Sequence, residues 1–207
     1  MDITDTTQVF CKDDGKKITF FDFHEDKNKE KLPQFTDLAK KIKESGSPAR
    51  IDMAFGGIVS CTIQKEQAKN RETLEKSFEE ANGSTPSYIW PEWKNAPFTQ
   101  LKSLSFETIV LSYNGAPNTR ASSEKILEDM DKLGLRPLTL EDMTITGISY
   151  PTFTKTDSIS FVGLTKYALV GSSCVPFLDR DGDVRRLGGD RWGDEWGDEA
   201  RFLCVCK

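Results

Sequence analysis

The sequence predicts an α+β protein, and three stretches carry that expectation. Leu104–Tyr113 (LSFETIVLSY) alternates and then runs β-branched, which is strand chemistry. Ser122–Leu133 places Ile126, Leu127, Met130 and Leu133 on one helical stripe, with Gly134 at the C-terminal cap. Phe202–Cys206 is a compact apolar run that reads as a closing strand and must be docked to stay out of water.

The other elements follow in order. Gln8–Cys11 and Ile18–Phe23 are short apolar runs separated by a stretch containing Asp14-Gly15, a hairpin signal. His24, the only histidine, stands in a charged stretch without a partner and reads as a surface residue. Pro33–Ser45 is a helix with Phe35, Leu38 and Ile42 on one face and Gly46 as its stop. Arg50–Ile63 is apolar and β-branched, so strands are expected, bent at Gly56-Gly57. That glycine pair lacks the spacing and the Lys-Ser/Thr of a phosphate-binding loop. Gln64–Ala81 is a polar helix closed by Asn82-Gly83.

Ser84–Pro97, with Pro86, Pro91 and Pro97, reads as a loop whose Tyr88, Trp90 and Trp93 cover the core. It is the expected boundary between an α/β segment of unknown role, 1–97, and a second domain, 98–207. Beyond it, Asn114-Gly115-Ala116-Pro117 breaks the strand, and Arg136-Pro137-Leu138 is an extended link. Thr139 caps a second helix with Glu141 and Asp142 in its first turn, where the dipole favours acids. Pro151 lies past its end, and Phe161–Val170 is a further apolar segment before Gly171-Ser172-Ser173.

Composition narrows the function. A net charge of -5 argues against nucleic acid as a partner, because phosphate binding needs a basic surface. No apolar run approaches the roughly 18 residues of a membrane span, and MDITDTTQVF lacks the basic start and apolar core of a secretory signal. Cys11, Cys61, Cys174, Cys204 and Cys206 include no CxxC pair, so no zinc site, and no cofactor, is expected. Cys204 and Cys206, two apart in a strand, are expected on one side, and the cysteines to be reduced and buried. No nucleophile–base pair stands out, so the chain is read as non-enzymatic.

The stretch from Val175 to Lys207 follows a different rule. From Asp179 to Glu199 it is almost wholly Asp, Arg and Gly, broken by Trp192 and Trp196, with no Lys before Lys207. Asp179, Asp181 and Asp183 have the 1-3-5 spacing of a calcium loop, with Asp190 at the twelfth place; Val184 stands where that loop needs Gly, and Arg180, Arg185 and Arg186 oppose a cation. Gly189, Gly193 and Gly197 at every fourth position oppose a helix, so irregular turns with both indoles packed inward are expected. A binding face, a calcium loop, a remnant of an enzyme and a plain solvated loop all remain open at this level.

Gly134-Leu135-Arg136-Pro137-Leu138-Thr139-Leu140-Glu141 and Arg201-Phe202-Leu203-Cys204-Val205 form an ordered pair of motifs covering roughly the C-terminal half. The order resembles the C-type lectin fold in the branch of formylglycine-generating enzymes, whose members run helix, Gly-Lys-Arg-Leu-Pro-Thr, acidic helix and a final Gly-Phe-Arg-Val-Val-Arg. No formylglycine-generating chemistry carries over, since its active-site cysteines or metal ligands have no counterpart here. The terminal stretch further resembles the variable proteins of diversity-generating retroelements, viral, bacterial or archaeal, in which copying errors at template adenines turn Asn codons into Asp, Gly, Arg, Ser, Tyr and other residues but never Lys, Glu or Trp.

The resemblance implies a C-type lectin-like domain over 98–207 and a variable region over about 175–200, with Trp192, Trp196, Glu195 and Glu199 as fixed framework. It implies a ligand-binding display protein, on a virion or cell, for a protein or glycan target on a cell surface. The contact residues would be Asp179, Arg180, Asp181, Asp183, Arg185, Arg186, Asp190, Arg191, Asp194 and Asp198. Alanine at several of these should move the melting temperature by only a few degrees, whereas replacing Phe202 or Val205 should unfold the domain.

Overall fold

A computed structural model describes residues 12–13, 16–17, 32–52, 57–81, 83, 86–99, 101, 103–113, 120–151, 159–169 and 171–207. His24, Cys11, the runs Gln8–Cys11 and Ile18–Phe23, Gly56 and the break at Asn114–Pro117 lie outside them. Lys12–Asp13 (β1) and Lys16–Lys17 (β2) pair antiparallel on either side of Asp14-Gly15. Helix α1, Leu32–Ser45, places Leu38 in the core.

Arg50–Ile51 (β3) and Ile58–Thr62 (β4) are the two strands expected either side of a bend. The polar helix starts later than its composition predicts. Helix α2 runs only from Arg71 to Glu80, because Asn70 and Thr73 form a capping box: Asn70 Oδ1 accepts from the Thr73 N–H at 2.9 Å and Thr73 Oγ1 from the Asn70 N–H at 3.2 Å. The expected loop contains Ser87–Ile89 (β5) and a 3-10 turn, Pro91–Asn95. Its Trp93 is fully buried and donates Nε1–H to the Gly188 carbonyl at 3.1 Å.

Ser105–Ser112 (β6), helix α3 (Ser123–Lys132) and Leu135–Pro137 (β8) follow the sequence expectation closely, whereas Ala121–Ser122 (β7), just ahead of α3, has no counterpart in it. Helix α4, Leu140–Ser149, is capped by Thr139, whose Oγ1 accepts from the Asp142 N–H at 3.1 Å. Its Glu141 is buried, and Oε1 accepts from Arg71 and from the Thr99 N–H, each at 3.2 Å. The apolar segment around 161–170 splits into Ser160–Val162 (β9) and Tyr167–Leu169 (β10).

Ser172–Asp181 (β11) and Val184–Arg191 (β12) form a regular hairpin, followed by Glu195–Trp196 (β13) and Ala200–Cys206 (β14). The irregular turns expected over the Gly189–Ala200 repeat are therefore confined to 192–194 and 197–199, either side of β13. The hairpin turns at Gly182, φ +56, where a two-residue connection needs a positive φ. Two further glycines admit aromatic rings to the backbone. A Cβ on Gly188 would lie 2.2 Å from Phe177 Cζ, and one on Gly189 2.2 Å from Trp90 Cε3. Packing thus accounts for part of the glycine content that the sequence reading attributes to variation.

Ten described strands share one mostly antiparallel sheet, with the path β3-β6-β14-β9-β11-β12-β5 and with β4, β8 and β10 alongside. β14 lies inside it, antiparallel to β6 and β8 and parallel to β9. Phe202, Leu203 and Val205 are buried, as a docked closing strand requires. Cys204 is buried but Cys206 is exposed, which corrects the expectation that both face one buried side; Cys61 and Cys174 are buried free thiols. The boundary placed at residue 97 does not divide the sheet: β3 and β4 pair with β6, and β5 with β12. Both sides of that boundary therefore build one α+β sheet. Among the described residues, no helix is long and apolar enough to cross a membrane.

Candidate functional site

Strand alternation divides the hairpin into two faces. Val175, Phe177, Asp179 and Asp181 share one face with Val184, Arg186, Gly188 and Asp190, their partners across the ladder. Cys174, Leu178 and Arg180 share the other with Arg185, Leu187 and Arg191. The ten residues singled out as contacts therefore do not form one surface.

On the first face, at the open end of the hairpin, a cleft of about 330 Å³ is bounded by Asp190, Asp194, Glu195 and Glu199, with Arg120 on its rim. Phe177 and Trp196 also line it, and Trp196 is buried. The 192–199 connection is moored rather than loose. Trp196 Nε1–H donates to Ser123 Oγ at 2.9 Å, and Ser123 Oγ–H donates to the Trp192 carbonyl at 2.7 Å. Trp192 Nε1–H donates to Glu124 Oε1 at 2.6 Å, and the Lys166 ammonium lies 4.9 Å from the Trp192 ring centre. Arg201 pairs with Asp52 and donates to the Asp198 carbonyl at 2.6 Å, fixing the far end of the connection. The two tryptophans thus pack as expected, against the start of α3.

Within the cleft, burial pushes the Asp190 carboxyl above the usual carboxylate range, and a hydrogen bond with Asp194 pushes it further the same way. The Arg191 N–H, donating to Asp190 Oδ1 at 2.8 Å, pulls it back. Asp190 therefore holds its proton more readily than an exposed aspartate does. Asp194 and Asp198 are exposed, as are Arg191 on the opposite face and Asp183 in the turn.

Near the turn the charged residues are already engaged. Arg186 Nε and Nη2 donate to the two oxygens of Asp179 at 2.8 and 2.6 Å, and Nη1 donates to Asp181 at 3.1 Å. This fork corrects one expectation and bears on one alternative. Asp179 is nearly buried and tied to its cross-strand partner, so it is not a free contact residue. The calcium spacing is also used otherwise: Asp179 and Asp181 lie in a strand with a guanidinium between them, and no group of three His, Cys, Asp or Glu among the described residues is arranged to hold a metal ion.

Arg185 is the largest departure. It is 1% exposed, so it is not a surface contact at all. Its guanidinium lies 3.8 Å from the Phe78 ring centre. Nη1 donates to the Gly147 carbonyl at 2.7 Å and Nη2 to the Phe78 carbonyl, both in the last turns of their helices, α4 and α2. Two helix C-termini carry partial negative charge, which is why a buried cation is tolerated here without a carboxylate. Burial, then repulsion from Arg180, lowers its pKa to about 10, so it stays charged at neutral pH.

Arg120 and Phe177 line the cleft without any sequence signal: Arg120 follows the strand break, and Phe177 sits among ordinary core residues of β11. No family model, no curated protein and no solved structure matches this chain.

Proposed function

We propose that the chain is a non-catalytic display protein whose C-terminal half is a C-type lectin-like domain, and that it binds its target at the cleft beside the hairpin's open end. The observation that carries this is the cleft itself, about 330 Å³, which gathers Asp190 and Asp194 against a tryptophan-moored connection. A rigid frame under variable polar side chains allows substitution without unfolding. The contact set contracts accordingly to Asp190 and Asp194, the two variable positions that line the cleft. Glu195 and Glu199, fixed in the retroelement reading, supply a constant acidic wall beside the variable positions. That wall favours a protein target presenting Lys or Arg, since charge complementarity sets orientation and rate of encounter.

The diversification is tested by the neighbouring DNA. A near-copy of the codons for 175–207, carrying adenines at the mismatched positions and lying beside a reverse transcriptase gene, is the expected finding. Its absence from the complete source genome removes the retroelement reading. The binding site is tested separately on arrays of basic and acidic peptides and of glycans. Retention on basic peptides that weakens in Asp190→Asn/Asp194→Asn supports the cleft; retention unchanged by that pair of substitutions places the binding elsewhere.

A further inference from the structure

On the face of the hairpin away from the cleft, three strands present a row of donors that the described residues leave unsatisfied. Arg180 is the cross-strand partner of Arg185, and Arg185 is the partner of Ser87 on β5, so the three side chains leave the sheet on one side. Arg180 Nε, Arg185 Nε and Ser87 Oγ are all buried and have no hydrogen-bond partner among the described residues. Arg185 has already committed Nη1 and Nη2 to the ends of α4 and α2. Its Nε–H is what remains, facing a second guanidinium across the ladder. Buried donors left unmade are costly, and like charges placed opposite each other in a sheet repel. The aspartates nearest in sequence, Asp179 and Asp181, emerge on the other face and are held by Arg186.

We propose that this row is an oxyanion site, binding a phosphate dianion either free or as the end of a phosphomonoester. Three donors from three residues call for a ligand with at least three acceptor positions. A single water accepts only two hydrogen bonds and leaves Arg180, and whatever part of the Arg185 charge the helix ends do not offset, without a counter-ion. A planar carboxylate directs its acceptor positions into one plane and cannot face three donors from three strands equally well. A tetrahedral dianion meets both demands, and charge-assisted bonds to guanidinium are the strong kind. Arg180 is half-buried, which gives the anion a way in from solvent, while Arg185 is held from behind by Phe78 and the two helix ends. The site stands independently of the display function.

The test is thermal melting of the full chain in increasing inorganic phosphate, with chloride at matched ionic strength as control. Phosphate should raise Tm logarithmically once its concentration exceeds Kd, by about 5 to 10 °C at a hundredfold excess, and chloride should not. Arg180→Met should abolish this rise while leaving the phosphate-free Tm no lower than the parent's, because it removes the repulsion on Arg185. Ser87→Ala should weaken phosphate roughly three- to tenfold. Methyl phosphate binding as tightly as phosphate assigns the site to phosphomonoesters; its exclusion assigns it to the free anion. A rise that grows linearly with phosphate concentration and persists in Arg180→Met is general salt exclusion from the protein surface, and it overturns the proposal, as does no rise at all.

Discussion

The two ends of the β11–β12 hairpin are written in one alphabet of Asp, Arg and Gly, yet they perform opposite tasks. Toward the turn, the charges are consumed inside the molecule: Arg186 is forked between Asp179 and Asp181, and Arg185 closes the ends of two helices. Toward the open end, Asp190, Asp194, Glu195 and Glu199 border a cleft, and Asp194 and Asp198 are exposed. The difference shows that composition marks a segment as unusual but does not assign its residues. Position in the ladder decides, because each step along a strand reverses the face and so decides between helix ends and open water.

Breaking this contrast should give effects of graded size. Arg185→Ala is expected to cost about 3 kcal/mol or more, because two helix-end carbonyls lose charged donors and the Phe78 ring loses its cover; a urea titration that shifts by under a third of that would show the turn end to be as tolerant as the cleft. Gly188→Ala should cost about 1–3 kcal/mol, since the added methyl meets the Phe177 ring, and near-UV circular dichroism should register the displaced aromatic packing. Asp190→Asn should stabilise the protein modestly at neutral pH. The sign follows from the raised carboxyl: the folded state disfavours the charged form, so the stability it lends is full below the unfolded pKa and is lost as pH rises through the folded one. The gain from Asn should therefore fade as melts are taken at progressively lower pH, and a gain that grows on acidification would reverse the assignment. Last, Asp194→Ala and Asp198→Ala should each stay within about 0.5 kcal/mol of the parent in the same titrations.

Much of the frame was legible in the sequence. Strand β6 announces itself by its β-branched run, α3 by the stripe of Ile126 and Met130, and α4 by Thr139 with an acidic first turn. These are local signals, and local chemistry decides them. The hairpin is different. Its faces carry charge on both sides, and Gly188 and Gly189 interrupt the alternation, so period-two reading fails there. The compensation for Arg185 comes from Phe78, 107 positions away, and from Gly147, 38 positions away. No window of sequence contains it. The three-residue β5 was similarly hidden among prolines, since it exists only because β12 offers it an edge. Of the site, Asp190 and Asp194 were named in advance, whereas Arg120 and Phe177 had no pattern to reveal them.

The interior position of β14 has a consequence for biogenesis. Among the described strands β6 and β9 meet only through it, so these two portions of the sheet remain separate until residues 200–206 have left the ribosome. Until then the nascent chain holds bare, apolar strand borders, the surfaces through which unfinished polypeptides coalesce and which chaperones shield. A frameshift or stop upstream of Ala200 should therefore give inclusion bodies rather than a shorter working protein.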